Sequence, residues 1–341
     1  MARIFITGGC GFVGSNLSDH LIRDGEEIVL FDNLHRKGSE KNLEWLKENP
    51  SGKFTFIKGD IRDYDALKKA MDGGYDVVYH TAGQVAVTTS VLDPREDFEI
   101  NALGTFNLLE AIRESKIDPA IIFTSTNKVY GCIEDVVVVE QNGRYAYRDY
   151  PEGMDESRPL DFHSPYGCSK GTADQYVRDY ARIYGMRSVV FRMSCQYGIR
   201  QFGNEDQGWV VHFVIAAHFS KDINIYGDGK QVRDLLYIDD LVRAFRMATS
   251  RIDHIKGSIF NIGGGPDNVI SLLELVAMLE EMSNRKIKLR FSGWRPGDQQ
   301  VYVSRIDKAK AAFGWEPTIS KSQGIKKLCE WVQSNEHLFE I

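Results

Sequence analysis

The sequence contains no run of 18 consecutive apolar residues, so no segment reads as a membrane-spanning helix and no membrane partner is expected. The apolar stretch at the N-terminus stops at once in glycines, too short for a secretory signal. Cysteine is scarce. The five (Cys10, Cys132, Cys168, Cys195, Cys329) form no C-x-x-C pair. Neither a disulfide framework nor a zinc site follows from such spacing; no metal is expected, and a reducing cytoplasm is the expected compartment. An excess of positive charge is missing too. Lys plus Arg number 42 against 48 for Asp plus Glu, a net charge of −6. That balance speaks against a nucleic-acid binder but leaves room for a few arginines around a small phosphorylated ligand.

What is present is an ordinary globular composition, 43% hydrophobic and 26% charged over 341 residues. At roughly 150 residues per domain this suggests about two domains. Strand-like runs at Arg3–Thr7, Glu27–Asp32, Lys53–Lys58, Asp76–His80, Ala120–Thr124 and Arg187–Arg192 alternate with helical patterns at Phe12–Asp24, Ser39–Lys47, Tyr64–Met71, about Phe98–Glu114 and Tyr166–Tyr184. Such alternation predicts α/β architecture: a Rossmann-type doubly wound parallel sheet. Past residue 193 the elements shorten and Gly-rich turns multiply, which predicts a smaller α/β substrate-binding lobe. The expected division is 1–193, with elements returning near 231–262, and 194–341 for the lobe.

The first strand runs into Gly8, Gly11 and Gly14, a G-x-x-G-x-x-G turn opening a helix. A residue without Cβ permits the tight turn and the close approach of a pyrophosphate, which the helix N-terminus then receives. Asp32 ends the second strand 18 residues beyond Gly14, where a carboxylate accepts both ribose hydroxyls of adenosine and repels a 2′-phosphate. NAD is therefore the expected cofactor. The same crevice, at the carboxyl ends of the strands, is expected to draw on Phe12, Val13, Asn33, Asp60, Ile61, Thr81, Ala82, Gly83, Asn101, Thr124 and Met193.

Tyr166 and Lys170 form Tyr-x-x-x-Lys on a predicted helix, which puts phenol and ammonium on one face. A neighbouring cation favours the phenolate, giving a base for a sugar hydroxyl. Thr126, at the end of the fifth strand, is the candidate to hydrogen-bond the reacting oxygen, with Ser125 as runner-up.

Thr7–Gly14, Thr124–Gly131 and Tyr166–Lys170 together resemble the extended short-chain dehydrogenase/reductase superfamily, particularly its nucleotide-sugar epimerases and dehydratases. The resemblance spans essentially the whole chain. It implies that Arg233 and Arg295 clamp a substrate diphosphate and that Asp298 contacts the nucleoside ribose. The family's 4,6-dehydratases carry Asp-Glu after the strand-five threonine. This chain has Asn127 and Lys128 there, which speaks against water loss. Cys195 stands where the family usually has asparagine. Gly83–Ala86, Ser125–Gly131, Leu160–Lys170, Arg200–Phe202 and Asp206–Val210 are similar to the CDP-tyvelose (CDP-paratose) 2-epimerases.

That likeness implies an isomerase inverting C2 of a CDP-linked hexose through a transient 2-keto sugar, with tightly bound NAD. Gln84, Asn127, Lys128, His163, Cys195 and Gln207 would join Arg233, Arg295 and Asp298 around the substrate. C4 epimerisation of a UDP- or CDP-hexose, or net oxidation of a nucleotide sugar, are the alternatives. The family further implies a homodimer or homotetramer.

Overall fold

The fold is that of a computed structural model, described here for residues 1–49, 54–295 and 297–339. Lys53, the expected start of the third strand, and Pro296, which follows Arg295, lie outside the described residues.

The chain sets out as β1 (Arg3–Thr7), β2 (Glu27–Asp32), β3 (Phe54–Lys58), β4 (Val77–His80) and β5 (Ala120–Thr126). A hairpin of β6 (Val138–Gln141) and β7 (Arg144–Tyr147) follows, then β8 (Ser188–Met193) and β9 (Cys195–Tyr197). The remainder supplies β10 (Ile223–Tyr226), β11 (Val232–Tyr237), β12 (Ile259–Ile262), β13 (Val269–Ser271), β14 (Leu289–Ser292) and β15 (Val301–Tyr302).

Among the described residues, seven strands make one sheet in the order β3-β2-β1-β4-β5-β8-β12. Every pairing in it is parallel. The strand order reverses between β1 and β4, so the loops after those two strands part and leave a crevice at their carboxyl ends. Near-continuous apolar runs suit strands covered on both faces. Leu17, Leu21, Leu30 and Phe191 lie in the core on one side of the sheet, and Phe5, Leu108, Phe123 and Val177 in the core on the other. The first of these cores runs on without a break through Ile225, Leu236, Leu275 and Leu328 of the later elements.

Two helices differ from expectation. The long helix predicted from Phe98 to Glu114 is a short helix, Pro94–Phe98, then a π-helical turn, Glu99–Leu103, then a helix, Gly104–Ser115. The extra residue in a π turn rotates the side chains that follow it. Here it carries the buried Asn101, whose amide is fully engaged: Oδ1 accepts from the Gln84 N–H (3.0 Å), and Nδ2 reaches the Gln84 carbonyl, Asp97 and Ser169. The helix expected from Tyr166 starts at Ser164, with Pro165 in its first turn, where a missing N–H costs nothing. β5 extends two residues beyond its predicted end, to Thr126.

Candidate active site

Three loops at the carboxyl edge of the sheet build the cofactor crevice. After β1 the chain turns so tightly that the Gly11 N–H donates to the Gly8 carbonyl at 3.0 Å. Gly8 has φ +67°, and a Cβ there would lie 2.7 Å from the backbone of Ala82. A Cβ on Gly14 would lie 2.2 Å from the Gly8 carbonyl oxygen. The three glycines therefore leave a bare backbone cradle, with the N-terminus of the helix Phe12–Arg23 opening onto it. Phe12 and Val13 line the cavity beyond.

After β2, Asp32 is buried. Its two oxygens accept the N–H groups of Cys10 (3.0 Å) and Leu34 (2.7 Å). Burial pushes its pKa up and these bonds oppose the shift. Asn33 donates to Asp60 (2.9 Å). Burial of Asp60 is outweighed by its bonds to Arg62 and Asn33, which hold its carboxyl down at about 2. Ile61 is buried beside Asp60. After β4, Thr81 donates to the Thr7 carbonyl (2.7 Å) and the Ala82 N–H to the Thr7 hydroxyl (3.3 Å), tying the β1 and β4 loops together. A Cβ on Gly83 would come within 3.0 Å of Asn101 Oδ1 and 3.6 Å of Lys170 Nζ, so this loop passes directly over Lys170.

Thr126, Tyr166 and Met193 line one end of a cavity of about 380 Å³. Lys170 is buried and donates to the Thr124 carbonyl at 2.5 Å, with its ammonium 4.4 Å from the Phe123 ring. Thr124 itself donates to the His80 carbonyl at 3.0 Å. Burial brings the Lys170 pKa down to about 7, against the pull of Asp174 and Asp97. Burial likewise pushes Tyr166 up to about 12. The Thr126 hydroxyl and Arg36 pull it down, and Asp97 adds to the rise. The expected lowering of the tyrosine by Lys170 is thus not what this pocket does unaided, because desolvation of the phenolate outweighs the neighbouring charges.

Asp174, one turn beyond Lys170, is gripped by Arg192 through two 2.9 Å bonds and accepts from Ser125 at 2.8 Å. Ser125 is thereby committed to holding the helix Ser164–Tyr184 against β5, and although both residues line the cavity, Thr126 is the one whose hydroxyl bonds Tyr166.

The cavity continues past Asn127, Lys128, Cys195 and Gln207 to Arg233, Asp298 and Arg295. Arg233 pairs with Asp298 at 2.8 Å. Arg295 lies over the Tyr226 ring at 3.7 Å and donates to the Glu205 carbonyl at 2.8 Å. Lys128 reaches Gly297 and Gln299, and burial lowers its pKa to about 8. Cys195 accepts from the Trp209 indole at 3.1 Å and burial raises its thiol to about 12, which leaves a neutral packing group.

Two expected substrate residues sit elsewhere. Gln84 folds back on its own loop, bonding Ala86 and donating to Asp97 at 2.7 Å, so it braces the loop rather than facing the cavity. His163 contacts Cys132 (3.0 Å) and Asp161 (3.1 Å) and is not among the cavity-lining residues. Sequence reasoning also missed Asp97, which gathers Gln84, Asn101 and Ser169 around one buried carboxylate. The i,i+4 spacing of Asp97 and Asn101 was the available signal. It missed Asn224 and Tyr226 as well, although the alternation Ile223-Asn224-Ile225-Tyr226 marks a strand with one polar face.

The profile of the GDP-mannose 4,6-dehydratase family matches residues 5–328. The chain belongs to that family. The family carries the name of one activity but holds several. A CDP-paratose 2-epimerase of Salmonella typhi is 46% identical over 340 residues, covering 97% of this chain and 99% of that relative. A putative UDP-glucose 4-epimerase of Methanocaldococcus jannaschii is 33% identical, covering 97% of this chain and 99% of its own. Among solved structures, a UDP-glucuronic acid 4-epimerase from Bacillus cereus, in complex with UDP-glucuronic acid and NAD, superposes with a TM-score of 0.83 at 29% identity, over 97% of this chain and 99% of that one. The backbone cradle, which any Cβ at Gly14 would fill, and the carboxylate of Asp32 fit NAD as the cofactor of this family member.

Proposed function

We propose that this chain is an isomerase that inverts C2 of a CDP-linked hexose, of the CDP-paratose/CDP-tyvelose or CDP-glucose type, through a 2-keto sugar. The observation that carries the reading is the 46% identity to a CDP-paratose 2-epimerase along nearly the full length of both chains. The site supports it: Thr126 and Tyr166 lie at one end of a single cavity that also takes in two arginines suited to a diphosphate, and Lys170 is buried behind them on the Thr124 carbonyl.

When bound, NAD supplies reversible two-electron chemistry, so that the sugar carbon oxidised in the first half-reaction is reduced again in the second. Tyr166 takes the proton of the C2 hydroxyl and later returns it. Thr126 hydrogen-bonds the same oxygen. Lys170, fixed to the Thr124 carbonyl, holds a positive charge near the tyrosine and the cofactor ribose. Arg233 and Arg295 hold the diphosphate, so the keto sugar can turn over within the pocket without leaving it. Asn127 and Lys128 stand where a dehydratase would place its Asp-Glu acid/base pair, which speaks against water loss. A substrate panel tests this reading. Turnover is expected on CDP-paratose or CDP-glucose; turnover of UDP-glucose alone overturns it.

The five thiols are unpaired, in keeping with a cytoplasmic site of action. We further propose a homodimer or homotetramer built on the helices Gly104–Ser115 and Ser164–Tyr184. Leu103 and Phe106 from the first side, and Tyr176, Ile183 and Tyr184 from the second, are all more than a third exposed. Phe106 and Tyr176 meet edge to face at 5.7 Å, which joins the two stripes into one aromatic surface. Changing both Phe106 and Tyr176 to Glu is expected to give a monomer by light scattering; an unchanged oligomer rules this face out.

A further inference from the structure

Beyond the arginines, the cavity reaches β10, and the polar groups there form a pattern that no step of the reaction uses. Ile223 and Ile225 are fully buried in the core. The strand's alternation therefore turns Asn224 and Tyr226 the other way, and both line the cavity. The Ser292 hydroxyl on β14 donates to Asn224 Oδ1 at 2.9 Å. With its carbonyl oxygen engaged, the Asn224 amide has its two N–H donors to offer.

Glu205 lines the same stretch of cavity. The Tyr226 hydroxyl donates to its carboxylate at 3.1 Å, and Arg295 fixes its backbone carbonyl while stacking on the Tyr226 ring. An ionised carboxylate only accepts hydrogen bonds. This end of the cavity thus combines an amide that donates, a carboxylate that accepts, and an aromatic residue whose hydroxyl bonds that carboxylate.

We infer that Asn224 and Glu205 select the pyrimidine base of the substrate, accepting cytosine and rejecting uracil. The inference rests on the nucleotide-sugar reading above. Along its pairing edge cytosine presents an acceptor at N3 and an amino donor at N4. Asn224 Nδ2 matches the first and the Glu205 carboxylate the second. Uracil reverses both, with N–H at N3 and a carbonyl at O4. It sets donor against donor and oxygen against carboxylate, and leaves the half-buried Asn224 amide without an acceptor.

Calorimetric titration of the NAD-loaded protein with CDP and with UDP tests the inference without any variant. CDP is expected to bind about tenfold or more tighter than UDP, the effect of one or two mismatched hydrogen bonds. Asn224→Asp replaces donors by acceptors and is expected to narrow that ratio or reverse it, and Glu205→Gln to narrow it. Equal affinities in the wild type, or a preference for UDP, overturn the base selection while leaving the nucleotide-sugar reading intact. Failure of both nucleotides to bind overturns the nucleotide-sugar reading itself, and the selection with it.

Discussion

Tyr166→Phe is expected to lower turnover by about 10²–10⁴-fold, the usual worth of a positioned general base, while leaving the protein folded and loaded with NAD. The tyrosine ring is buried and the phenylalanine ring would fill the same space. Only the hydroxyl and its bond to Thr126 are removed. A change of about 1 kcal/mol in stability is the most such a bond accounts for. The pH dependence separates this role from a merely structural one. The base is the deprotonated form, and burial with Asp97 pushes the phenol up while Thr126 and Arg36 draw it down. Below its pKa the phenolate fraction, and with it the rate of proton removal, rises as pH rises. The residual activity of Tyr166→Phe is expected to lack that rising limb. A variant that keeps most of its activity, or keeps the limb, removes Tyr166 from the role of base.

Gly14→Ala acts on the other half of the site. Its Cβ would sit 2.2 Å from the Gly8 carbonyl oxygen, 2.8 Å from Gly9 Cα and 2.9 Å from the Gly8 carbonyl carbon. All three are backbone atoms and none can swing aside, so the turn must open. Overpacking of this kind costs about 1–3 kcal/mol. The opened turn also withdraws the N–H groups that face a pyrophosphate at the helix N-terminus. A loss of about 3 kcal/mol corresponds to roughly 10²-fold in NAD affinity. The variant is expected to purify largely free of nucleotide, read by absorbance of the denatured supernatant, and to melt at a lower temperature. Recovery of a full equivalent of NAD would show that the cradle is not where the pyrophosphate lies.

These two positions were legible in the sequence for a simple reason. Each belongs to a motif whose geometry is local. A glycine-rich turn between strand and helix fixes its own backbone, and an i,i+4 spacing fixes two side chains on one face. The parallel α/β architecture followed from the alternation of periods, and the resemblance to nucleotide-sugar epimerases led to the family the comparisons show. What was not legible depends on contacts between distant segments. Gln84 follows β4 at the edge of the crevice, yet its amide turns to Asp97, thirteen residues on, because a buried carboxylate needs donors. His163 precedes the helix Ser164–Tyr184 but turns to Asp161 and Cys132. The π turn at Glu99–Leu103 has the same periodic apolar content as an α-helix, so no pattern announces it. Only the demand of Asn101 for the Gln84 backbone and Ser169 explains it.

The central claim is the carbon at which configuration changes. C2 and C4 inversion use the same tyrosine, lysine and threonine, and only the pose of the hexose separates them. Proton NMR of the product formed from CDP-paratose, with no cofactor added, reads that carbon directly. Inversion at C2 with the C4 configuration retained, and no accumulation of reduced cofactor, is the predicted result. Inversion at C4, or stoichiometric oxidation of the sugar, would contradict it.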